Sequence, residues 1–142
     1  MNSVDFNIDL NAKDKFGWAA IHFACNFGHF DIIKTLVQKS VDFSIELNAV
    51  DNNGMTAFHL ACKDNQLRIA EILIQMSLDF NIELNALDKN GMTAFNWACK
   101  NIHTDITEML VQKSADFNIN LNIVEDNGTT WYGNPLAFCA II

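Results

Sequence analysis

A histidine and a cysteine three residues apart recur at a fixed interval in this chain. His22 and Cys25 stand in DKFGWAAIHFACNFG, His59 and Cys62 in DNNGMTAFHLACKDN, and Asn96 and Cys99 in DKNGMTAFNWACKNI. A thiol beside an imidazole is the pairing of a nucleophile with its base. The pattern argues against that use, because it offers several equivalent pairs rather than one unique site. Three-residue spacing on an amphipathic helix is also what packing and capping positions show. No nucleophile elbow and no phosphate-cradling glycine loop accompanies the pairs. The reading is therefore not an enzyme, with no catalytic residues and no cofactor.

Other chemistry is bounded in the same way. Cysteines stand at 25, 62, 99 and 139, one per repeat, without the close Cys or His pairs of a zinc site. They read as small buried hydrophobes in a reducing, intracellular and hence cytoplasmic setting. Nine basic residues against seventeen acidic ones give a net charge of −8, which disfavours nucleic acid and anionic membrane as partners. No apolar run approaches the ~20 residues of a membrane span, and the start MNSVDFNIDLN lacks the basic and apolar stretches of a signal peptide. Asn127-Gly128-Thr129 is formally a glycosylation sequon but reads as a turn. Cys139-Ala140-Ile141-Ile142 has the prenylation form. Yet no polybasic stretch precedes Cys139, and Asn134-Pro135-Leu136-Ala137 before it reads as a helix start, so membrane attachment is expected only if Cys139 is lipidated.

The elements that must position these residues follow from the period. Leu10, Leu47, Leu84 and Leu121 mark a step of 37 residues, the signature of stacked supersecondary units. The whole chain, 1–142, reads as a single array: units at 10–46, 47–83 and 84–120, a partial unit at 121–142, and residues 1–9 resembling the tail of an earlier unit. Each unit predicts two helices. The first spans 19–26, 56–63 and 93–100, capped by Thr56 and Thr93. The second spans 30–39 in the first unit, with Ile32, Ile33, Leu36 and Val37 on one face. Gly28 and Asn65 suit a left-handed helix end, whereas Ile102 predicts a shifted or strained turn. DKFG, DNNG, DKNG and EDNG place glycine at turns between units. The fold class is all-α, a solenoid of helix-turn-helix units with extended loops or hairpins between them.

At these residues the chain resembles the ankyrin repeat family, whose pattern runs D-x-x-G-x-T-P-L-H-x-A-A-x-x-G-H. The middle unit matches with Asp51, Gly54, Thr56, Ala57, Phe58, His59, Ala61 and Cys62, and the first keeps His22, Gly28 and His29. The proline at the first helix is replaced by Ala20, Ala57 and Ala94. Thr becomes Ala19 in the first unit and His becomes Asn96 in the third. The resemblance implies that Thr and His tie adjoining loops, so weaker ties are expected at those two places. It also implies a period of about 33; the four further residues at 43–46, 80–83 and 117–120 read F-x-I-x before Leu. Their alternation predicts an extended connection stacked into an apolar ladder.

The resemblance implies that partners bind the loop tips and the exposed side of the first helices. Carried over residue by residue, this surface comprises Lys13, Val50 and Leu87 before the motif acid, and Lys15, Phe16, Asn52, Asn53, Lys89 and Asn90 after it. Trp18, Met55 and Met92 follow the turn glycine, and Asn26, Phe27, Lys63, Asp64, Lys100 and Asn101 end the first helix. These positions vary from unit to unit while the framework does not. They hold apolar groups with no evident core to fill, and five lysines against one aspartate, although Asp14, Asp51 and Asp88 stand nearby. The expected function is a protein–protein interaction module for an apolar, partly acidic partner. The alternative is a structural spacer or scaffold fragment of a longer ankyrin array with no partner of its own. Self-association through the apolar C-terminal TTWYGNPLAFCAII is a further expectation.

Overall fold

The computed structural model describes residues 8–124 and 130–131. Three helix pairs follow one another: α1 (Ala20–Asn26) with α2 (Phe30–Gln38), α3 (Ala57–Lys63) with α4 (Leu67–Phe80), and α5 (Ala94–Lys100) with α6 (Thr104–Phe117). Two short strands, β1 (Ile123–Val124) and β2 (Thr130–Trp131), pair antiparallel after them.

The first helix of each unit is short because it is defined at both ends. Thr56 Oγ1 accepts the His59 backbone N–H at 3.2 Å, and Thr93 Oγ1 accepts that of Asn96 at 3.1 Å. Ala19 has no side-chain cap, as its identity dictates. At the other end the chain turns through a left-handed residue: Gly28 (φ 74°), Asn65 (φ 58°) and Ile102 (φ 57°). The turn at Ile102 is strained rather than shifted, since His103 N–H reaches Ala98 O at 2.9 Å just as His29 reaches Ala24 and Gln66 reaches Ala61.

The second helices correct the expected extended connection. In units two and three the helix continues to Phe80 and Phe117, then stops at Asn81 (φ 53°) and Asn118 (φ 53°). Ile82 N–H returns to Ser77 O and Ile119 N–H to Ser114 O, both at 3.0 Å, closing a left-handed helix end. The added residues thus lengthen the helix. In unit one, α2 ends at Gln38 and turns carry the chain to Ser44 (φ 52°), with the same closing bond from Ile45 to Ser40 at 2.9 Å. Val41 and Ser44 stand there in place of Leu78 and Asn81. A β-branched residue propagates a helix less well, and Ser takes the left-handed conformation less readily than Asn. The alternation still buries Ile45, Leu47, Ile82, Leu84 and Ile119, while Phe43 is exposed and Phe80 and Phe117 are half-buried.

Packing runs from each unit to the next. α1 lies on α3 and α3 on α5, while α2 lies on α4 and α4 on α6. Ile21, Cys25, Ile33, Val37, Phe58, Cys62, Leu73, Ile74, Phe95, Cys99, Ile106 and Leu110 form one continuous core along the stack.

Candidate interaction surface

The loop tips are built on three aspartates. Asp51 Oδ1 accepts the N–H groups of Asn53 and Met55 at 2.9 Å each, and Asp14 and Asp88 do the same two and four residues on. The turns then touch each other. Asn52 N–H donates to Phe16 O and Lys89 N–H to Asn53 O, each at 3.0 Å. Asn52 Nδ2 also donates to Lys15 O, and Lys13 Nζ to Val50 O, both at 2.8 Å. The approach is close enough that a Cβ on Gly17 (φ 80°) would stand 2.7 Å from the Asn52 nitrogen, and one on Gly54 (φ 76°) 2.9 Å from the Lys89 nitrogen.

Beneath the tips lies a row of polar keys. His59 Nδ1 accepts the Thr56 N–H at 3.1 Å, so Nε2 carries the proton and donates to Met92 O at 2.9 Å. His22 repeats this with Ala19 N–H (3.0 Å) and Met55 O (3.2 Å). Asn96 keeps the first bond and changes the second: its Oδ1 accepts from Thr93 N–H at 3.1 Å, while its shorter side chain donates Nδ2–H to Asn122 O at 2.8 Å, one repeat step beyond Asn85 rather than beyond Met92. Asn96 thus still ties to the following segment, but through a different carbonyl, while Ala19 lacks the hydroxyl. Burial holds His22 and His59 below the usual histidine value, opposed by their carbonyl acceptors and nearby carboxylates. Cys25 and Cys62 are fully buried, and desolvation pushes their thiols well above the ordinary range. With both ring nitrogens engaged by backbone and the thiols desolvated, neither His–Cys pair is set up as base and nucleophile.

A third set of ties was not anticipated from sequence. Asn48 Nδ2 donates to Asn81 O (2.9 Å) while its Oδ1 accepts from Glu83 N–H (2.8 Å). Asn11 clamps Ser44 O and Glu46 N–H in the same way, and Asn85 clamps Asn118 O and Asn120 N–H. Their signal was the unchanging Asn after Leu10, Leu47 and Leu84, visible in the sequence but without an assigned partner.

The expected binding residues divide into three groups. Phe16, Phe27, Val50 and Leu87 are exposed, as are Lys13, Lys15, Asn52, Asn53, Lys89, Asn90, Lys100 and Asn101; Trp18, Asn26, Lys63 and Asp64 are half-buried. Met55 and Met92 are 4% and 8% exposed, which corrects the expectation that they had no core to fill. Their backbones are held by Asp51 and Asp88 on one side and by His22 and His59 on the other, which turns these residues beneath the tips.

The structure adds two aromatic residues that sequence reasoning passed over. Phe23 meets Trp18 edge-on with centroids 5.0 Å apart. Trp97 donates Nε1–H to Asp88 at 2.8 Å, and the ammonium groups of Lys63 and Lys100 stand 5.6 and 5.3 Å from its ring. Trp18 Nε1–H likewise donates to Asp51, at 3.1 Å. Positions 23, 60 and 97 hold Phe, Leu and Trp, so no repeat-wise identity marks them. Phe16, Trp18, Phe23, Leu60 and Lys63 border an open groove of about 500 Å³ between the first two units. Among the described residues no group of three or more His, Cys, Asp or Glu could hold a metal ion, and no helix is long and apolar enough to cross a membrane. Cys139 and the apolar C-terminal stretch lie outside the described residues.

A family model described as ankyrin repeats (3 copies) matches residues 2–84 and 44–123. No curated protein matches the chain.

Proposed function

The chain belongs to the ankyrin repeat family, and from that membership we propose that the flank formed by its loop tips and first helices docks another protein. Ankyrin repeats are in general protein–protein interaction modules. The observation that carries the reading here is the groove between units one and two, whose lining residue Lys63 also stands over the ring of Trp97 in unit three. At one end Phe16, Trp18 and Phe23 offer apolar area; at the other, Lys63 and Lys100 bring positive charge to the face of an indole. Rigid aromatics with flanking cations are what interface hot spots use. The partner that fits presents an apolar or aromatic anchor followed by carboxylates. Lys13, whose ammonium is tied to Val50 O, and the buried Met55 and Met92 support the surface from behind rather than touching that partner. The role is non-catalytic, and the desolvated thiols fit a reducing, cytoplasmic setting.

Selection from a random peptide library tests this. Enriched peptides should combine an apolar anchor with acidic residues, and Trp97→Ala or Phe16→Ala should weaken their binding by about 2 kcal/mol or more, with the helical circular dichroism unchanged. No enrichment, or affinity indifferent to both variants, would leave the array a spacer.

A further inference from the structure

Phe23, Leu60 and Trp97 occupy one repeat position, each the fourth residue of a first helix. Because α1 packs on α3 and α3 on α5, the three stand in a row across the array: large, small, large. Phe23 is 40% exposed and Trp97 half-buried, whereas Leu60 is 3% exposed. The position after the turn glycine steps down in the same way from unit one to unit two, from Trp18 to Met55. Unit one therefore raises an aromatic wall, Trp18 meeting Phe23 edge-on. Unit two lays a low apolar floor beside it, since Leu60 and Met55 both line the groove. Trp97 stands on the far side of Leu60, fixed by its bond to Asp88.

We infer, resting on the docking proposed above, that residue 60 sets which anchor enters: the partner lays a single aromatic side chain over Leu60, against Trp18 and Phe23. The groove's open volume of about 500 Å³ gives a bulky side chain room. Rings pack on rings edge-to-face or offset, and a methionine floor conforms to an aromatic ring. The indole N–H of Trp18 is already given to Asp51 and that of Trp97 to Asp88, so both indoles offer ring surface rather than a donor. Asp14, Asp51 and Lys63 are the charged residues of the lining. Asp14 holds the Phe16 and Trp18 N–H groups, and Asp51 those of Asn53 and Met55 besides the Trp18 indole. These carboxylates are committed to the loop tips, and Lys63 lies one helical turn beyond Leu60. The space over Leu60 is left apolar. A tryptophan at position 60, as at position 97, would fill that space and admit only small anchors.

Selection from a random peptide library on the full chain, then fluorescence anisotropy of a labelled enriched peptide, tests this. The wild type should enrich Trp, Phe or Tyr at the anchor. Leu60→Trp should weaken binding of that peptide at least about tenfold, and selection repeated on the variant should turn to Ala, Val or Leu. Val41→Trp adds the same ring after the end of α2, at a site 78% exposed and outside the groove lining, and should leave the affinity unchanged. Circular dichroism and the urea midpoint report the fold; Leu60→Phe, carrying the residue of unit one, takes the place of Leu60→Trp if the larger ring unfolds the array. Aliphatic anchors enriched by the wild type, full affinity in the folded position-60 variant, or equal loss with Val41→Trp would overturn the inference and leave the docking reading standing. No enriched peptide at all would overturn the docking reading, and the anchor with it.

Discussion

Acid should loosen this array through two particular side chains, and the chain itself contains the control. His22 and His59 are each buried with Nδ1 accepting and Nε2 donating, so the folded form holds neutral imidazole. Burial lowers both from the ordinary 6.5. In the unfolded chain they take up protons near that ordinary value, so below it the unfolded state binds more protons than the folded one. Stability is then fully present above pH 6.5 and falls as the pH drops towards the folded-state value. Each pH unit in that window removes up to about 1.4 kcal/mol per histidine, which bounds the loss between 6.5 and 5 at about 2 kcal/mol for each. Asp51 and Asp88 face His59, and Asp51 and Lys13 face His22; the carboxylates soften the effect without reversing its direction. His59→Asn removes one titration while leaving an acceptor for the Thr56 N–H and a donor towards the next unit, as Asn96 provides in the third unit with Thr93 N–H and Asn122 O. Urea unfolding followed by circular dichroism from pH 7.5 to 5 reads the slope. The variant should lose about half of the wild-type dependence, and His22→Asn with His59→Asn most of it. A His59→Asn slope equal to wild type would refute the reasoning.

Three further perturbations follow from the ties between loops. Asn48→Ala leaves Asn81 O and Glu83 N–H without their partner and should cost about 1–3 kcal/mol, read as a lower urea midpoint. Gly54→Ala meets both a positive φ and the Lys89 backbone, whereas Gly91→Ala meets the positive φ with none of the described residues within 4 Å. The first should therefore lower the melting temperature more than the second, which carries only the ~1–2 kcal/mol left-handed penalty. Ala19→Thr supplies the hydroxyl that Thr56 and Thr93 use and should stabilise by about 1 kcal/mol; no rise in midpoint would mean that the first helix start is not equivalent to the others.

The architecture was legible because one step governs everything. Leu10, Leu47 and Leu84 set the register, Thr56 and Thr93 mark the helix starts, and the odd Ile102 pointed to a shifted or strained turn, of which the structure holds the strained one. The end of the second helix was not legible, because F-x-I-x-L serves equally as a strand with one buried side and as a helix terminus followed by a buried Ile and Leu. The Asn81 and Asn118 that decide between them act through a backbone conformation, not through polarity. Met55 and Met92 misled for a related reason. Their loop position suggested a surface, but bonds to residues of the same and the preceding unit turn them inward. Trp97 was missed since its position carries a different residue in every unit, and its value as a platform depends on Lys63 and Lys100, one of them from the neighbouring unit. Asn11, Asn48 and Asn85 were visible as constants, yet their partners lie 33 to 35 positions away, a distance that only the stacked structure closes.

The claim on which the functional account rests is that one flank, the tips with α1, α3 and α5, meets the partner while the second helices face away. Hydrogen–deuterium exchange with and without a selected acidic peptide measures this directly. The account predicts added protection in the turns at 14–18, 51–55 and 88–92 and in the first helices, with α2, α4 and α6 unchanged; protection gained on the second helices, with the turns unaffected, would contradict it.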